Sequence, residues 1–270
     1  MNGRALLLFE QPYWASLGEQ TPLQVSLAAR ALSRGYIPRV VVFTPADVPL
    51  DRLLLEAGAN RRGAVVVGPL LSYQWRSFAS RLPSTRFILI GDIAEDGLPP
   101  NATVLRFDRA PSFRAAGRRA ATAAGAGGRV GIVLSAASEL SDAETSAFTQ
   151  GVADAAGAGP PLVRTLPAPD KAAVQAAIRD LTAQGIGVFL VGVGSLDPWA
   201  LAVLQGSGGR AVVAGWRTSG ALAGQVLLSV EEDVPAGVSL ALGAVSRAER
   251  SVSGPVTLIT GGAAAAPQGK

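Results

Sequence analysis

Short apolar runs alternate with segments of helical period along almost the whole chain. The apolar runs fall at 5–9, 39–44, 63–68, 86–91, 103–107, 129–134, 161–166, 187–192, 210–214, 226–231 and 255–260. Most lack a polar/apolar alternation, as strands buried on both faces of a parallel sheet do. The segments between them predict helices at 20–34, 50–58, 72–81, 112–124, 142–157, 171–184, 197–205 and 236–250. Asp142 and Asp170 each stand just before an Ala-rich amphipathic run, the place of an N-cap. Gly35, Gly157 and Gly185 stand where helices should end. This is the β–α–β rhythm of a doubly wound α/β protein with right-handed crossovers.

The rhythm occurs twice, over 5–107 and again over 129–231. Between the two lies an Ala-rich helix followed by the turn AGAGG at 124–128. The pattern predicts two Rossmann-like lobes with parallel sheets, joined by a hinge. The helix at 236–250 and the strand at 255–260 follow the completed second lobe and are expected to return to the first. The expected division is 1–107 with 234–260, then 108–233, with the low-complexity tail 261–270 disordered.

Open α/β sheets bind ligands outside the carboxyl ends of their strands, so two such lobes predict a cleft lined by post-strand residues. Tyr13 and Trp14 follow the first strand, and Tyr73, Gln74 and Trp75 follow the third. Asp92, then Asp108 with Arg109, follow the next two. In the second half the segments GVGSLDPW and GWRTSG bring Asp197, Trp199, Trp216 and Arg217. All four tryptophans fall in these segments. Aromatic faces beside a few carboxylates and arginines suit a flat or sugar-like polar ligand. Tyr13, Trp14, Trp75 and Trp216 are the expected walls, Asp92, Asp108 and Arg217 the polar grips, and Trp199 a further wall. Each has a purely architectural alternative: a tryptophan packed under a loop, Asp108 capping the helix at 112–124, Arg217 in an ion pair.

Composition narrows the chemistry. The 270 residues are 49% hydrophobic and 16% charged, enough for a sizeable core. With no cysteine there is no disulfide, thiol nucleophile or zinc finger. With no histidine there is no Ser-His-Asp or Cys-His arrangement and no histidine-bound metal. The net charge of +4 is carried by scattered arginines, without the basic stripe and interleaved aromatics of a nucleic-acid binder. No P-loop and no Gly-x-Ser-x-Gly elbow occurs, and the Gly-x-Gly of FLVGVGS (189–195) lacks the third glycine of a dinucleotide fingerprint. Glu231, Glu232 and Asp233 read as a solvated acidic turn. No cofactor is called for. The amino terminus has only a five-residue apolar run before Glu10, short of a secretory signal. That fits either a cytoplasmic protein or a mature fragment with an added start.

An ordered series of motifs resembles a known family. SFRAAGRRAA (112–121), GRVGIVLSAA (128–137) and AFTQGVADAAGAG (147–159) are followed by LTAQGIGVFLVGVGS (181–195), VVAGWRTSG (212–220) and LLSVEEDVPAGVSLAL (227–242). In order and spacing they are similar to the basic membrane protein family of type I periplasmic binding proteins, which includes purine-nucleoside-binding lipoproteins serving ABC transporters. Trp216 or Arg217 stands where that family has an acidic residue, and Glu231 or Glu232 where it has a lysine. Gln11-Pro12-Tyr13-Trp14 replaces its paired acidic residues in the first loop. The resemblance therefore implies the fold and a solute-binding role without purine specificity. It implies a small nucleoside- or sugar-like ligand, an ABC transporter permease as partner, a monomer, and a periplasmic or extracytoplasmic location. It also implies export with a lipidated cysteine, so that in a lipid-anchored native form this chain, which has no cysteine, would be a trimmed version. The rival expectations are a cytoplasmic ligand-sensing regulatory domain of the same fold, a two-lobed α/β transferase, and a degenerate cleft.

Overall fold

The structure is a computed structural model that describes residues 3–17, 20–44, 52, 63–136, 138, 140–167, 170–194, 197–214 and 222–261. The first half runs β1 (Gly3–Glu10), α1 (Gln11–Ser16), α2 (Gln20–Ser33), β2 (Tyr36–Phe43), β3 (Ala64–Val67), α3 (Pro69–Ala79), β4 (Arg86–Ile90) and β5 (Ala102–Arg106). The second runs α4 (Ala110–Ala124), β6 (Val130–Ser135), α5 (Asp142–Ala153), β7 (Leu162–Leu166), α6 (Lys171–Ala183), β8 (Val188–Gly192), α7 (Asp197–Ser207), β9 (Arg210–Ala214) and β10 (Val226–Glu232). Then follow α8 (Val234–Ser246), β11 (Ser251–Ser253) and β12 (Val256–Thr260). The helix expected at 50–58 and the tail beyond Gly261 lie outside the described residues. No helix among the described residues is long and apolar enough to cross a membrane.

Contacts divide the chain into two units, Met1–Asp108 with Glu232–Pro255 and Arg109–Glu231 with Val256–Lys270. Each holds one six-stranded sheet, ordered β11-β5-β4-β3-β1-β2 in the first and β12-β10-β9-β8-β6-β7 in the second. Five of the six positions, β5-β4-β3-β1-β2 and β10-β9-β8-β6-β7, repeat the same doubly wound order, with its switch point beside the first strand of each half. In the first sheet every pairing is parallel, with Leu7 opposite both Val40 and Val66. The strand expected at 255–260 to return to the first lobe instead lies beside β10 in the second sheet. It is an edge strand with several exposed side chains, so its own sequence carries no sign of which sheet it joins.

Burial explains the unbroken apolar runs. Along β1, Leu7 and Phe9 enter one cluster, closed by Leu27 of α2 and Val238 of α8, while Leu6 and Leu8 enter another under Trp75 of α3. In the second unit Ile132 and Leu190 face α4 and α5, whereas Val133 and Val191 face α6 and α7. Successive residues point to opposite faces, and both faces are covered.

Helix starts follow local chemistry more closely than periodicity. α5 is capped by Ser141 and not by Asp142: Ser141 and Glu144 form a reciprocal capping box. Asp170 does cap α6, accepting the Ala173 N–H at 2.7 Å. Asp233 caps α8 through the Ala236 N–H at 3.0 Å, which moves that helix to 234–246. α3 begins earlier than periodicity suggests because Pro69 sits in its first turn, where a fixed φ and a missing N–H cost nothing, and α1, which periodicity does not predict, opens on Pro12 in the same way.

Candidate functional site

The switch point of the first sheet lies between the carboxyl ends of β1 and β3, with β4 next to β3. β1 ends at Glu10, which is 0% exposed. Its Oε1 accepts the Leu71 N–H at 2.6 Å, so the carboxylate sits on the N-terminus of α3. Oε2 is buried with no hydrogen-bond partner among the described residues. Gly68, just before α3, lets the carboxyl in: a Cβ there would lie 2.1 Å from Oε2. Burial pushes the Glu10 carboxyl above the usual carboxylate range, against the opposing pull of the α3 N–H groups. The folded state therefore binds this proton more tightly than the unfolded chain. Stability contributed at acid pH is lost as pH rises from the ordinary carboxylate range toward the raised value. Glu10→Gln keeps the acceptor for Leu71 and removes the titration. Urea unfolding across that pH interval should show a declining stability for the wild type and a flatter profile for the variant.

Above this buried anchor the exposed groups come from α1, α3 and the β4 loop. Tyr13 is half-buried, and its hydroxyl donates to Glu232 Oε2 at 3.1 Å. Tyr73 is 64% exposed, and its hydroxyl donates to the Asp92 carbonyl at 3.2 Å. The Asp92 side chain is 99% exposed and lies 3.5 Å from Arg106 Nε. Arg106 also pairs with Glu95 at 2.9 Å, which holds the Glu95 carboxyl below its usual range.

The other expected groups are placed differently. Trp75 is 0% exposed, set against Phe78 and Phe87 at centroid distances of 5.9 and 5.8 Å. Trp14 is 3% exposed and packs on Phe9 at 5.3 Å. Two residues along a helix is a rotation of about 200°, so the turn of α3 that buries Trp75 turns Tyr73 outward. The sequence names both aromatics and carries no local sign of which faces out. Asp108 is exposed, and Arg109, not Asp108, occupies the N-cap position of α4. The Arg109 guanidinium forks onto buried Glu144, with Nε–Oε1 at 2.5 Å and Nη2–Oε2 at 3.0 Å. That pair ties the start of the second unit to the capping box of α5. Glu231 is buried, Glu232 holds Tyr13 and Asp233 caps α8, so the acidic run is no solvated turn.

At the carboxyl edge of the second sheet, Ser135 is buried and Asp197 accepts the Val193 N–H at 2.7 Å. Trp199 is half-buried and turns toward α6, with Lys171 Nζ 6.0 Å from its ring centroid. Trp216 and Arg217 lie outside the described residues.

No family model and no curated protein matches the chain, so its resemblance to the basic membrane protein family gains no support there. Solved structures do match. An ABC transporter solute-binding protein from Conexibacter woesei aligns with a TM-score of 0.71 at 16% identity, over 95% of this chain and 87% of that one. A transcriptional activator of the comK gene from Bacillus halodurans aligns at 0.69 and 13% identity, over 98% and 92%. The Caulobacter myo-inositol binding protein, bound to myo-inositol, aligns at 0.63 and 16% identity, over 96% and 94%. With its two six-stranded, doubly wound sheets, the chain has the fold of the type I periplasmic binding proteins.

Proposed function

We propose that the chain is a solute-binding protein that captures a small hydroxyl-rich ligand, a sugar or polyol, and delivers it to an ABC transporter. The observation that carries this reading is the pairing of Tyr73 and Asp92. The Tyr73 hydroxyl donates to the Asp92 backbone carbonyl at 3.2 Å, which sets an exposed aromatic ring beside a residue with an exposed carboxylate at the carboxyl edge of the first sheet. The ring face covers the C–H face of a sugar, and the carboxylate accepts hydrogen bonds from hydroxyls. A purine nucleoside fits less well. Stacking a base needs opposed ring faces, and Trp14 and Trp75, two of the expected walls, are buried in the core. The myo-inositol complex among the similar structures favours the same ligand class.

A thermal-shift screen against pentoses, hexoses, inositols, nucleosides and amino acids tests it. A ligand at about 100 times its Kd stabilises by ~2.7 kcal/mol, a shift of several degrees. The expected hit is a sugar or polyol. Tyr73→Ala and Asp92→Ala should each abolish the shift while leaving the unliganded melting temperature nearly unchanged. A response to nucleosides alone would retire the polyol reading.

A second reading, a ligand-sensing regulatory protein, draws on the Bacillus halodurans activator, which covers nearly this whole chain. Ligand-dependent stimulation of a reconstituted transporter's ATPase activity separates the two.

A further inference from the structure

The helices on one face of the second sheet leave a groove that the sheet-edge site does not use. α6 lines it with Gln175, Ile178, Arg179 and Thr182. α7 lines it with Trp199, Ala202, Val203 and Gly206. Both sets have the spacing i, i+3, i+4, i+7, a single helical face. Two such stripes facing each other enclose about 730 Å³. Ala202 and Gly206 are small and exposed, and keep the groove open to solvent.

Its chemistry is one-sided. Trp199 is of the residue type that most often anchors interfaces. Arg179 is exposed along one wall, and Lys171 stands over the Trp199 ring at one end. No carboxylate lines the groove. Asp180, next to Arg179, is taken by Arg164 at 2.7 Å, and Asp170 is taken by the α6 N-terminus. The Thr182 hydroxyl is buried without a hydrogen-bond partner among the described residues.

We propose that the α6–α7 groove docks an acidic amphipathic helix of a partner protein. The groove runs along eight residues of each helix, seven steps of 1.5 Å or roughly 10 Å, which matches two turns of an incoming helix. Apolar side chains at i, i+3, i+4 and i+7 of that helix cover half-buried Val203 and Trp199 and exposed Ala202, above the buried Ile178, the helix-in-groove mode of recognition. Carboxylates on its flank meet Arg179 and Lys171, and fix its register. The proposal is independent of what the first unit binds.

The test is a display library of helical peptides of about 14 residues, selected on the purified chain. Selected peptides are then titrated calorimetrically while the Trp199 indole is followed by NMR. The expected peptides are acidic, shift the Trp199 indole, and bind Arg179→Glu about tenfold more weakly. Ala202→Trp, which fills the groove from an exposed position, should abolish binding. Both variants should keep the wild-type melting temperature. Selected peptides that are not acidic, or that bind both variants as tightly as the wild type, would overturn the proposal. So would benzoate shifting the same indole and displacing every peptide, which would assign the groove to a small organic anion.

Discussion

Gly117→Ala is expected to destabilise the second unit by about 3 kcal/mol, although Gly→Ala inside a helix ordinarily stabilises by ~1 kcal/mol. The reason is the contact between α4 and α5. A Cβ on Gly117 would stand 2.1 Å from the Phe148 carbonyl oxygen, and one on Gly151 would stand 2.0 Å from that of Arg114. The two glycines are reciprocal: each opens the path for the partner helix's backbone. Relief requires moving a whole helix off Phe113 and Phe148, both fully buried, and off the Arg114–Asp154 pair at 2.9 Å. Overpacking against backbone thus outweighs the propensity gain. Gly206→Ala in α7 is the control. A Cβ there meets nothing within 4 Å, so the propensity term acts alone and stability should rise by about 0.5–1 kcal/mol. Differential scanning calorimetry of the two variants reads both signs at once. Equal and small effects would mean that α4 and α5 separate at little cost.

Trp75→Ala is expected to cost about 3–5 kcal/mol, whereas Tyr73→Ala, two residues away, should leave the unliganded fold nearly untouched. Trp75 fills the layer between α3 and the sheet, and its removal leaves a cavity bounded by Phe78 and Phe87. Its indole N–H is buried without a partner among the described residues. Trp75→Phe should therefore be mild, because the lost area is partly offset by the loss of an unsatisfied donor. Denaturant midpoints for the three variants give the ordering. A Trp75→Ala protein as stable as the wild type that no longer responds to ligand would place the indole in the binding site and reverse the roles of the two aromatics.

The glycines of α4 and α5 also bear on what the family resemblance was made of. Gly117 lies in SFRAAGRRAA and Gly151 in AFTQGVADAAGAG, two of the segments that carried it. Both are packing residues. A motif built on a close helix approach reports architecture and is silent on ligand. The likeness therefore reaches no further than the fold, and the family's acidic and lysine positions already differ in this sequence at Trp216 or Arg217 and at Glu231 or Glu232.

Both sheets were legible from the pattern of apolar residues, because a strand covered on both faces has no polar phase, and few other structures produce runs such as Ala64–Val67 and Val188–Gly192. The doubling of the fold was equally open, since the same run of elements recurs. Most helices were visible through their 3.6-residue period, and α2, α5, α6 and α7 start where it placed them, whereas α3, α4 and α8 start two or three residues earlier. Pro69 and Asp233 decide two of those starts through a ring and a single hydrogen bond, which periodicity averages away. The order of residues also placed Tyr13, Tyr73, Trp75 and Asp92 after strand ends, at the edge where this fold presents its ligands. Which of them faces outward is a matter of helix phase and of what covers each face. Trp75 is in the core because α3 is clamped at its N-terminus by the Glu10 carboxylate, 61 residues earlier in the chain. β12 pairs with β10, and Gly261 permits the close approach at its end: a Cβ there would meet the Val226 carbonyl oxygen at 1.7 Å. Such contacts join residues far apart in sequence, and no local window contains both partners. Burial on two faces is written into each segment separately, whereas orientation, capping and sheet membership arise only when distant segments meet.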